Sequence, residues 1–183
     1  MNKRQKTTPE DEINILNPEA HWLDIVSAMR AISFDKLTEY EHVIYEYTKH
    51  PDWSVRGDAM SLLLSHWKRE DLMEEAFAML QDESEDVQNH VADGICIWYG
   101  YCVRKNKLSK YMDQAITEVI HAALRAEDNV VRDMLYKNTL SMIKRDTLGH
   151  FLLPRDFNFH RDLDWELIDP YIKDHSLKVR HTH

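Results

Sequence analysis

A short motif that recurs three times along the chain limits its possible folds more than any other feature. The three copies begin at capping residues, Asp52, Ser84 and Asp128. In each copy a valine occupies the fourth position, a long polar side chain the fifth, and an apolar side chain the eighth. Successive copies are 32 and then 44 residues apart. Repeats with periods of about 20 to 50 residues are typical of solenoid proteins.

An amphipathic segment precedes each copy of the motif, so that each repeat is predicted to be a pair of helices. These segments cover residues 36–49, 70–81 and 108–126. A single helix pair cannot bury its apolar face alone, whereas a stack of pairs buries a continuous core. The chain has only four glycines, which disfavours the tight turns of β-sheets. The sequence therefore predicts an all-α solenoid of about three helix pairs.

The pattern formed by Asp52, Val55, Arg56 and Ala59 resembles HEAT repeats, especially the short bacterial HEAT repeats found in phycobilin lyases. The resemblance covers about residues 35–145. It implies that the second helix of each pair begins with the motif. It also implies a concave face lined by these second helices.

The resemblance further implies a ladder in which the arginine of one repeat meets the turn acid of a neighbouring repeat. The matching residues are Asp52 and Arg56 in the first pair, and Asp128 and Arg132 in the third. In the second pair Gln88 stands where the arginine is expected. We therefore expect the ladder to be interrupted at the centre of the stack.

The chain divides into three predicted segments. Residues 1–16 are expected to be a flexible arm, and residues 17–145 a HEAT-like repeat domain that opens with an N-terminal helix capped by Asn17. The longer second repeat is interpreted as a lengthened helix followed by a loop at 105–107. Residues 146–183 break the pattern and are predicted to be an irregular tail with one short helix, which caps the open end of the stack.

The charge distribution favours a basic partner. The formal net charge is −9, and residues 69–93 contain nine acidic residues and one basic residue. A concentrated acidic surface steers a basic partner during encounter. The longest basic cluster, which consists of Arg104, Lys105, Lys107 and Lys110, is short and confined to one edge. Because nucleic-acid binding depends on cations that meet phosphates, we expect none here.

Aromatic and polar residues on the second helices are the other candidates for partner contacts. Trp67 and Tyr99 occupy equivalent positions in adjacent repeats, and so do Asp93 and Lys137 in a second row. Aromatic side chains are common interface anchors, although about half of them are expected to be core. The residues predicted to bind a partner are Trp53, Asp58, Trp67, Glu83, Glu85, Asp86, Asn89, Asp93, Tyr99, Asp133, Tyr136 and Lys137.

The sequence contains no recognisable catalytic or metal-binding motif. Its eleven histidines show no His-Glu-x-x-His spacing, and Cys96 and Cys102 match no zinc pattern. Cys96 lies mid-helix between two isoleucines, which favours a structural thiol over a reactive one. A glycine-rich phosphate loop and a Gly-x-Ser-x-Gly turn are also absent from the sequence. We predict no catalytic residue, no metal and no cofactor.

The sequence predicts a cytoplasmic protein without membrane contact. The first ten residues are polar and charged, unlike a signal peptide. No stretch approaches the length of about 18 apolar residues that a membrane span requires. The sequence does not determine the oligomeric state.

The leading functional hypothesis is a non-catalytic protein-binding scaffold. One specific form of it is a bacterial immunity protein that neutralises a basic toxin, such as a nuclease. An alternative from the family resemblance is a lyase-like protein that binds a bilin or another small molecule with its aromatic row. A second alternative, a HEAT-like DNA repair protein, is disfavoured by the acidic charge.

Overall fold

A computed structural model describes residues 7–144, 153 and 157–173, and all regular elements within these ranges are helical. The α-helices are α1 (Pro9–Ile15), α2 (Trp22–Asp35), α3 (Glu41–Glu46), α4 (Trp53–Leu62), α5 (Met73–Met79), α6 (Glu85–Arg104), α7 (Met112–Arg125), α8 (Asn129–Ile143), α9 (Phe159–Asp162) and α10 (Trp165–Ile168). Short 3-10 turns cover Thr38–Tyr40, Tyr47–Lys49, Glu70–Leu72 and Asp169–Tyr171, and a π-helical turn covers Leu63–Trp67. The all-α prediction is confirmed for the described residues.

The motif marks the N-terminal ends of α4, α6 and α8, as the sequence predicts. The Asp52 carboxylate accepts hydrogen bonds from the backbone N–H groups of Ser54 and Val55, at 2.9 and 3.4 Å. The Asp128 carboxylate caps α8 in the same way. Ser84 begins α6 without a side-chain cap. Its own N–H donates to the Asp82 carboxylate at 2.8 Å.

The even-numbered helices α2, α4, α6 and α8 pack side by side in chain order. Each odd-numbered helix from α1 to α7 packs against the even-numbered helix that follows it. The apolar positions of the motif lie in the core between these helices; they are Val55, Ala59, Val87, Val91, Val131 and Leu135. The motif therefore supplies both the start and the buried face of each even-numbered helix.

Two glycines allow α4 and α6 to approach each other closely. A Cβ atom added to Gly94 of α6 would lie 2.8 Å from the Ser61 Cα of α4. A Cβ atom added to Gly57 of α4 would lie 3.2 Å from the His90 Cβ of α6. The backbones meet where a side chain is missing, which gives this pair the most extensive helix–helix contact in the described structure.

The prediction of a flexible arm over residues 1–16 is wrong for Pro9–Ile15, which form α1. Residues 1–6 of the predicted arm lie outside the described residues. Thr8 and Asp11 form a reciprocal capping box at its start. Ile15 is fully buried, and its carbonyl accepts a hydrogen bond from the Tyr47 hydroxyl at 2.9 Å. A helix of 7 residues with three acidic residues in its first turn shows too little apolar periodicity to be recognised from the sequence.

The predicted helix start at Asn17 is also wrong. The Asn17 side chain accepts a hydrogen bond from Glu19 N–H within a turn, and α2 begins after His21, whose Nδ1 accepts from Leu23 N–H at 3.3 Å. The helix predicted at 36–49 is split into a 3-10 turn, α3 and a second 3-10 turn. The lengthened α6 and the loop after it are confirmed, since α6 has 20 residues and ends at Arg104.

The described part of the C-terminal tail packs over α7 and α8 and contains two short helices, rather than the single one predicted. Phe157 stacks on Tyr136 with ring centroids 5.6 Å apart, and Phe159 meets the same ring edge-on. The Tyr136 hydroxyl also accepts a hydrogen bond from Asp164 N–H at 3.0 Å. Residues 145–152, 154–156 and 174–183 of the tail region lie outside the described residues.

Candidate functional site

One surface of α6 and α8 carries most of the exposed and half-buried residues that the sequence singled out. On α6 the side chains at positions 86, 89, 90, 93 and 97 recur at helical spacing, and on α8 those at 130, 133, 134 and 137 do the same. Together with one residue of α4 they form what we call the exposed strip: Trp53, Asp86, Asn89, His90, Asp93, Ile97, Val130, Asp133, Met134 and Lys137.

Contacts between helices make the exposed strip one continuous surface. The Asn89 side-chain amide lies 3.6 Å from the Met134 sulfur. The Asp93 carboxylate accepts a hydrogen bond from the Asn138 side chain at 2.7 Å. The Trp53 ring of α4 lies 6.2 Å from the His90 ring of α6, centroid to centroid.

The exposed strip combines apolar side chains with carboxylates. Trp53, Ile97, Val130 and Met134 are 41, 47, 68 and 39% exposed. Three carboxylates and one ammonium group accompany them, from Asp86, Asp93, Asp133 and Lys137. Apolar groups that share a surface with polar residues mark interaction sites more often than scattered ones do.

A shallow cavity of about 300 Å³ lies at the α8 end of the exposed strip. Its walls are Val130, Asp133, Met134, Lys137 and Leu153 of the tail. Burial raises the pKa of Asp133, and the Arg132 charge opposes that effect. A cation brought by a partner would stabilise this partly desolvated carboxylate.

Asp58 was predicted to contact a partner, but it lies beneath the exposed strip and is buried. Its carboxylate forms an ion pair with the Arg30 guanidinium of α2 at 2.7 Å. The His90 Nε2 of α6 lies 3.6 Å from the other carboxylate oxygen, while His90 Nδ1 is 2.7 Å from the Asp86 carbonyl. Asp58 therefore joins α2, α4 and α6 rather than meeting a partner.

The predicted row of aromatic residues does not line a groove. Tyr99 and Tyr136 are buried in the core, and Trp67 is partly buried against it. Phe157 and Phe159 of the tail cover Tyr136. The repeat alignment could not tell which side of each helix is covered.

Two of the acidic residues at the start of α6 stabilise the fold, and a third is exposed. The Asp82 carboxylate accepts two hydrogen bonds from the Arg56 guanidinium, at 2.9 and 2.7 Å. The Glu85 carboxylate accepts the backbone N–H groups of Glu127 and Asp128, at 2.6 and 2.9 Å. Glu85 is thus a link to the next repeat rather than an available partner contact, whereas the Glu83 side chain remains almost fully exposed.

The expected ladder between repeats has one arginine rung. Arg56 reaches the Asp82 carboxylate of the next repeat, and this hydrogen bond lowers the pKa of Asp82. Gln88 instead donates to the Asp82 carbonyl at 2.8 Å, within its own repeat. Arg132 donates to the Ala126 carbonyl, within the turn before α8. At this level of the turns, Glu85 links the second repeat to the third through the backbone N–H groups of Glu127 and Asp128.

The described residues hold no group of three or more His, Cys, Asp or Glu side chains that could bind a metal ion. Cys96 and Cys102 are not joined by a disulfide, and the Cys96 Sγ lies 3.8 Å from the Asn138 carbonyl oxygen. Burial raises the pKa of Cys102, which disfavours its thiolate form. Among the helices of the described ranges, none combines the length and the apolar character needed to cross a membrane.

The sequence reasoning missed four members of the exposed strip: His90, Ile97, Val130 and Met134. A usable signal existed, because each lies three or four residues from a predicted contact on the same helix face. Continuing the stripes from Asp93 and Asp133 would have included them.

Comparison of the chain with family models, with curated proteins and with solved structures gave no match. The class of the protein is therefore defined by its own structure, as an all-helical protein whose even-numbered helices lie side by side in chain order.

Proposed function

We propose that the chain is a HEAT-like solenoid that acts as a non-catalytic scaffold and binds another protein with the exposed strip. The sequential packing of α2, α4, α6 and α8 supports the solenoid interpretation. The recurrence of the capped motif at each of α4, α6 and α8 supports the HEAT-like one.

The observation that carries the proposal is the exposure of Trp53, Ile97, Val130 and Met134 on one surface. Each of these side chains would lose contact with water in a complex, at about 25 cal/mol per Å² of apolar surface. Interfaces typically depend on a few such anchors, among which tryptophan is frequent. The helices supply these anchors on a packed framework, so little ordering is needed on binding.

The charge of the exposed strip selects a basic partner. Asp86, Asp93 and Asp133 place carboxylates beside the apolar anchors. Glu83 adds an exposed carboxylate at the turn before α6. Complementary charge accelerates encounter and disfavours acidic partners.

A specific form of this function is an immunity protein that covers the active site of a basic toxin. A nuclease binds the phosphates of its substrate with lysine and arginine. A rigid surface of carboxylates and apolar groups can occupy such a cationic groove in place of nucleic acid. The inhibitor needs no catalytic residue of its own.

The experiment is a capture assay with matched variants as bait. The strip variant Asp133→Asn/Met134→Ser removes one carboxylate and one exposed apolar side chain. The control variant Glu74→Gln/Leu23→Ser removes the same chemistry from exposed positions on α5 and α2. We expect a basic protein to be retained by the wild type and the control, and to be lost from the strip variant and at high salt.

Two further results decide the specific form. If the captured protein is a nuclease, its cleavage of labelled nucleic acid should fall to background when the wild-type chain is added, and recover with the strip variant. Retention that is equal for all three baits would reject the exposed strip as the binding surface. Partners that are acidic, or indifferent to salt, would reject the charge argument.

A further inference from the structure

The loop between α6 and α7 presents a leucine to solvent. Leu108 is 96% exposed, and it lies in the insertion that makes the second repeat longer than the first. Its two neighbours are both tied to one carboxylate. Lys107 Nζ lies 2.5 Å from one oxygen of Glu70, and the Ser109 hydroxyl donates to the other at 2.8 Å.

The backbone holds this loop in one conformation. Asn106 adopts a left-handed conformation with φ 50° after the end of α6. Lys107 N–H then donates to the Cys102 carbonyl at 2.9 Å, which closes the helix end. Contacts on both sides therefore hold Leu108 outward. Because the loop is already ordered, its binding to another surface would cost little conformational entropy.

Three helix ends at this edge of the fold each carry a lysine. Lys36, Lys68 and Lys105 are the C-cap residues of α2, the π-helical turn after α4, and α6. The ends of these helices are in contact, since the Phe34 and His66 rings are 4.8 Å apart and Lys68 Nζ lies 5.3 Å from the Tyr101 ring. With the loop cations they form what we call the basic edge: Lys36, Lys68, Arg104, Lys105, Lys107 and Lys110.

The cations of the basic edge lie close enough to repel one another. Burial, together with the nearby charges of Arg104 and Lys36, lowers the pKa of Lys68 to about 8. Among the described residues, neither Lys36 nor Lys68 has a carboxylate within ion-pair distance. An anionic surface would relieve this repulsion.

The net charge of −9 does not prevent such a contact, although the Glu70 carboxylate offsets the charge of Lys107 within the basic edge. Glu85 and Asp86 lie at the start of α6, and the basic edge lies at its end, 20 residues away. At 1.5 Å per residue this separation is about 30 Å. The Debye length is about 10 Å at 0.1 M salt, so these carboxylates are screened from a surface that meets the basic edge.

We propose that the basic edge docks on an anionic lipid surface, with Leu108 inserted between the lipid head groups. The described residues provide no spanning helix, so the contact is peripheral. It replaces the sequence-based expectation of no membrane contact, and it is independent of partner binding by the exposed strip.

A bilayer fits this edge better than a protein pocket does. Leu108 projects from a convex loop whose neighbours are cationic or polar. A protein that enclosed it would also have to desolvate or pair the flanking lysines. At a lipid surface the leucine enters the head-group region while the lysines keep their hydration, as long cationic side chains commonly do.

The test is co-sedimentation of the purified full chain with lipid vesicles. One set contains phosphatidylcholine alone, and the other contains about one third phosphatidylserine. We expect binding to the anionic vesicles at low salt, none to the neutral ones, and a steep loss as salt is added. Leu108→Ser is expected to weaken binding roughly tenfold, and Lys105→Gln/Lys110→Gln about 25-fold, at about fivefold for each lysine.

Matched variants separate a specific contact from general adhesion. Leu23→Ser removes another exposed leucine, and Lys49→Gln/Lys173→Gln removes two exposed lysines outside both the basic edge and the exposed strip. Both controls are expected to bind like the wild type. The proposal is overturned if the wild type stays in solution with anionic vesicles at low salt. That result would favour an acidic protein, rather than a lipid surface, as the partner of this loop. It is also overturned if the controls and the basic-edge variants weaken binding equally.

Discussion

Replacing Gly94 with alanine tests the close approach of α4 and α6, because the added methyl group has no room. A Cβ atom at this position would lie 2.8 Å from the Ser61 Cα and 3.1 Å from the Ser61 carbonyl oxygen. Carbon atoms in favourable contact are about 3.5–4.0 Å apart, so the helices must separate by roughly 0.7 Å. The obstacle is backbone, and no rotamer change can remove it.

Two opposing effects set the magnitude. Alanine is favoured over glycine inside a helix by about 1 kcal/mol. Overpacking a well-packed core typically costs about 1–3 kcal/mol, and the upper part of that range applies where backbone must move. We expect Gly94→Ala to lower the free energy of unfolding by about 1–2 kcal/mol.

Gly57→Ala is the matched control at the same helix pair. Its Cβ atom would lie 3.2 Å from the His90 Cβ and 3.3 Å from the Val87 Cα, which requires a much smaller shift. The helix-propensity gain should roughly offset this strain, leaving stability within about 0.5 kcal/mol of wild type. Urea unfolding followed by far-UV circular dichroism measures both variants. The predicted clash is refuted if Gly94→Ala and Gly57→Ala have the same free energy of unfolding while the slope of that free energy against urea concentration is unchanged.

Three further changes test other parts of the structure by the same unfolding assay. Arg56→Met leaves the Asp82 carboxylate without its guanidinium partner and should cost about 1–3 kcal/mol at neutral pH. Because the pair lowers the pKa of Asp82, this difference should shrink as the pH falls below about 4; a difference that persists at acidic pH would contradict the assignment. Asp128→Ala should cost about 1 kcal/mol, whereas Ser84→Ala should cost clearly less, because Ser84 makes no side-chain cap; equal losses would refute the cap assignments. Lys68 has a pKa lowered to about 8, so wild-type stability should rise with pH between about 8 and the ordinary lysine value near 10. Lys68→Met should abolish that rise, and a rise of unchanged size in the variant would contradict it.

The starts and the buried faces of α4, α6 and α8 could be predicted because the sequence signals for them are local. An N-cap such as Asp52 or Asp128 acts on backbone groups two and three residues away. The buried faces of α4, α6 and α8 repeat the same apolar positions. Both patterns are visible in a single sequence.

The errors come from contacts between distant segments. Tyr136 is buried because the tail reaches back from Phe157 and Phe159 to cover it. Asp58 is buried because Arg30, 28 residues earlier, crosses from α2 to pair with it. Neither partner can be identified from spacing, since the intervening loops set the geometry.

The exposed strip was predicted only in part from the sequence. Asp86, Asn89, Asp93, Asp133 and Lys137 were predicted correctly as helix positions, and the structure places them on one surface. Their apolar neighbours Ile97, Val130 and Met134 were missed, although the helical spacing from Asp93 and Asp133 indicates them. Whether that surface binds a basic protein stays a prediction.

The most direct test is a nuclear Overhauser measurement on isotope-labelled protein, because every functional argument depends on α4, α6 and α8 lying side by side in chain order. The structure predicts cross-peaks between the Gly94 and Ser61 α-protons, and between the Asn89 side-chain amide and the Met134 methyl group. If both cross-peaks are absent, and α6 instead shows contacts to residues of α2, then the exposed strip does not exist as one surface.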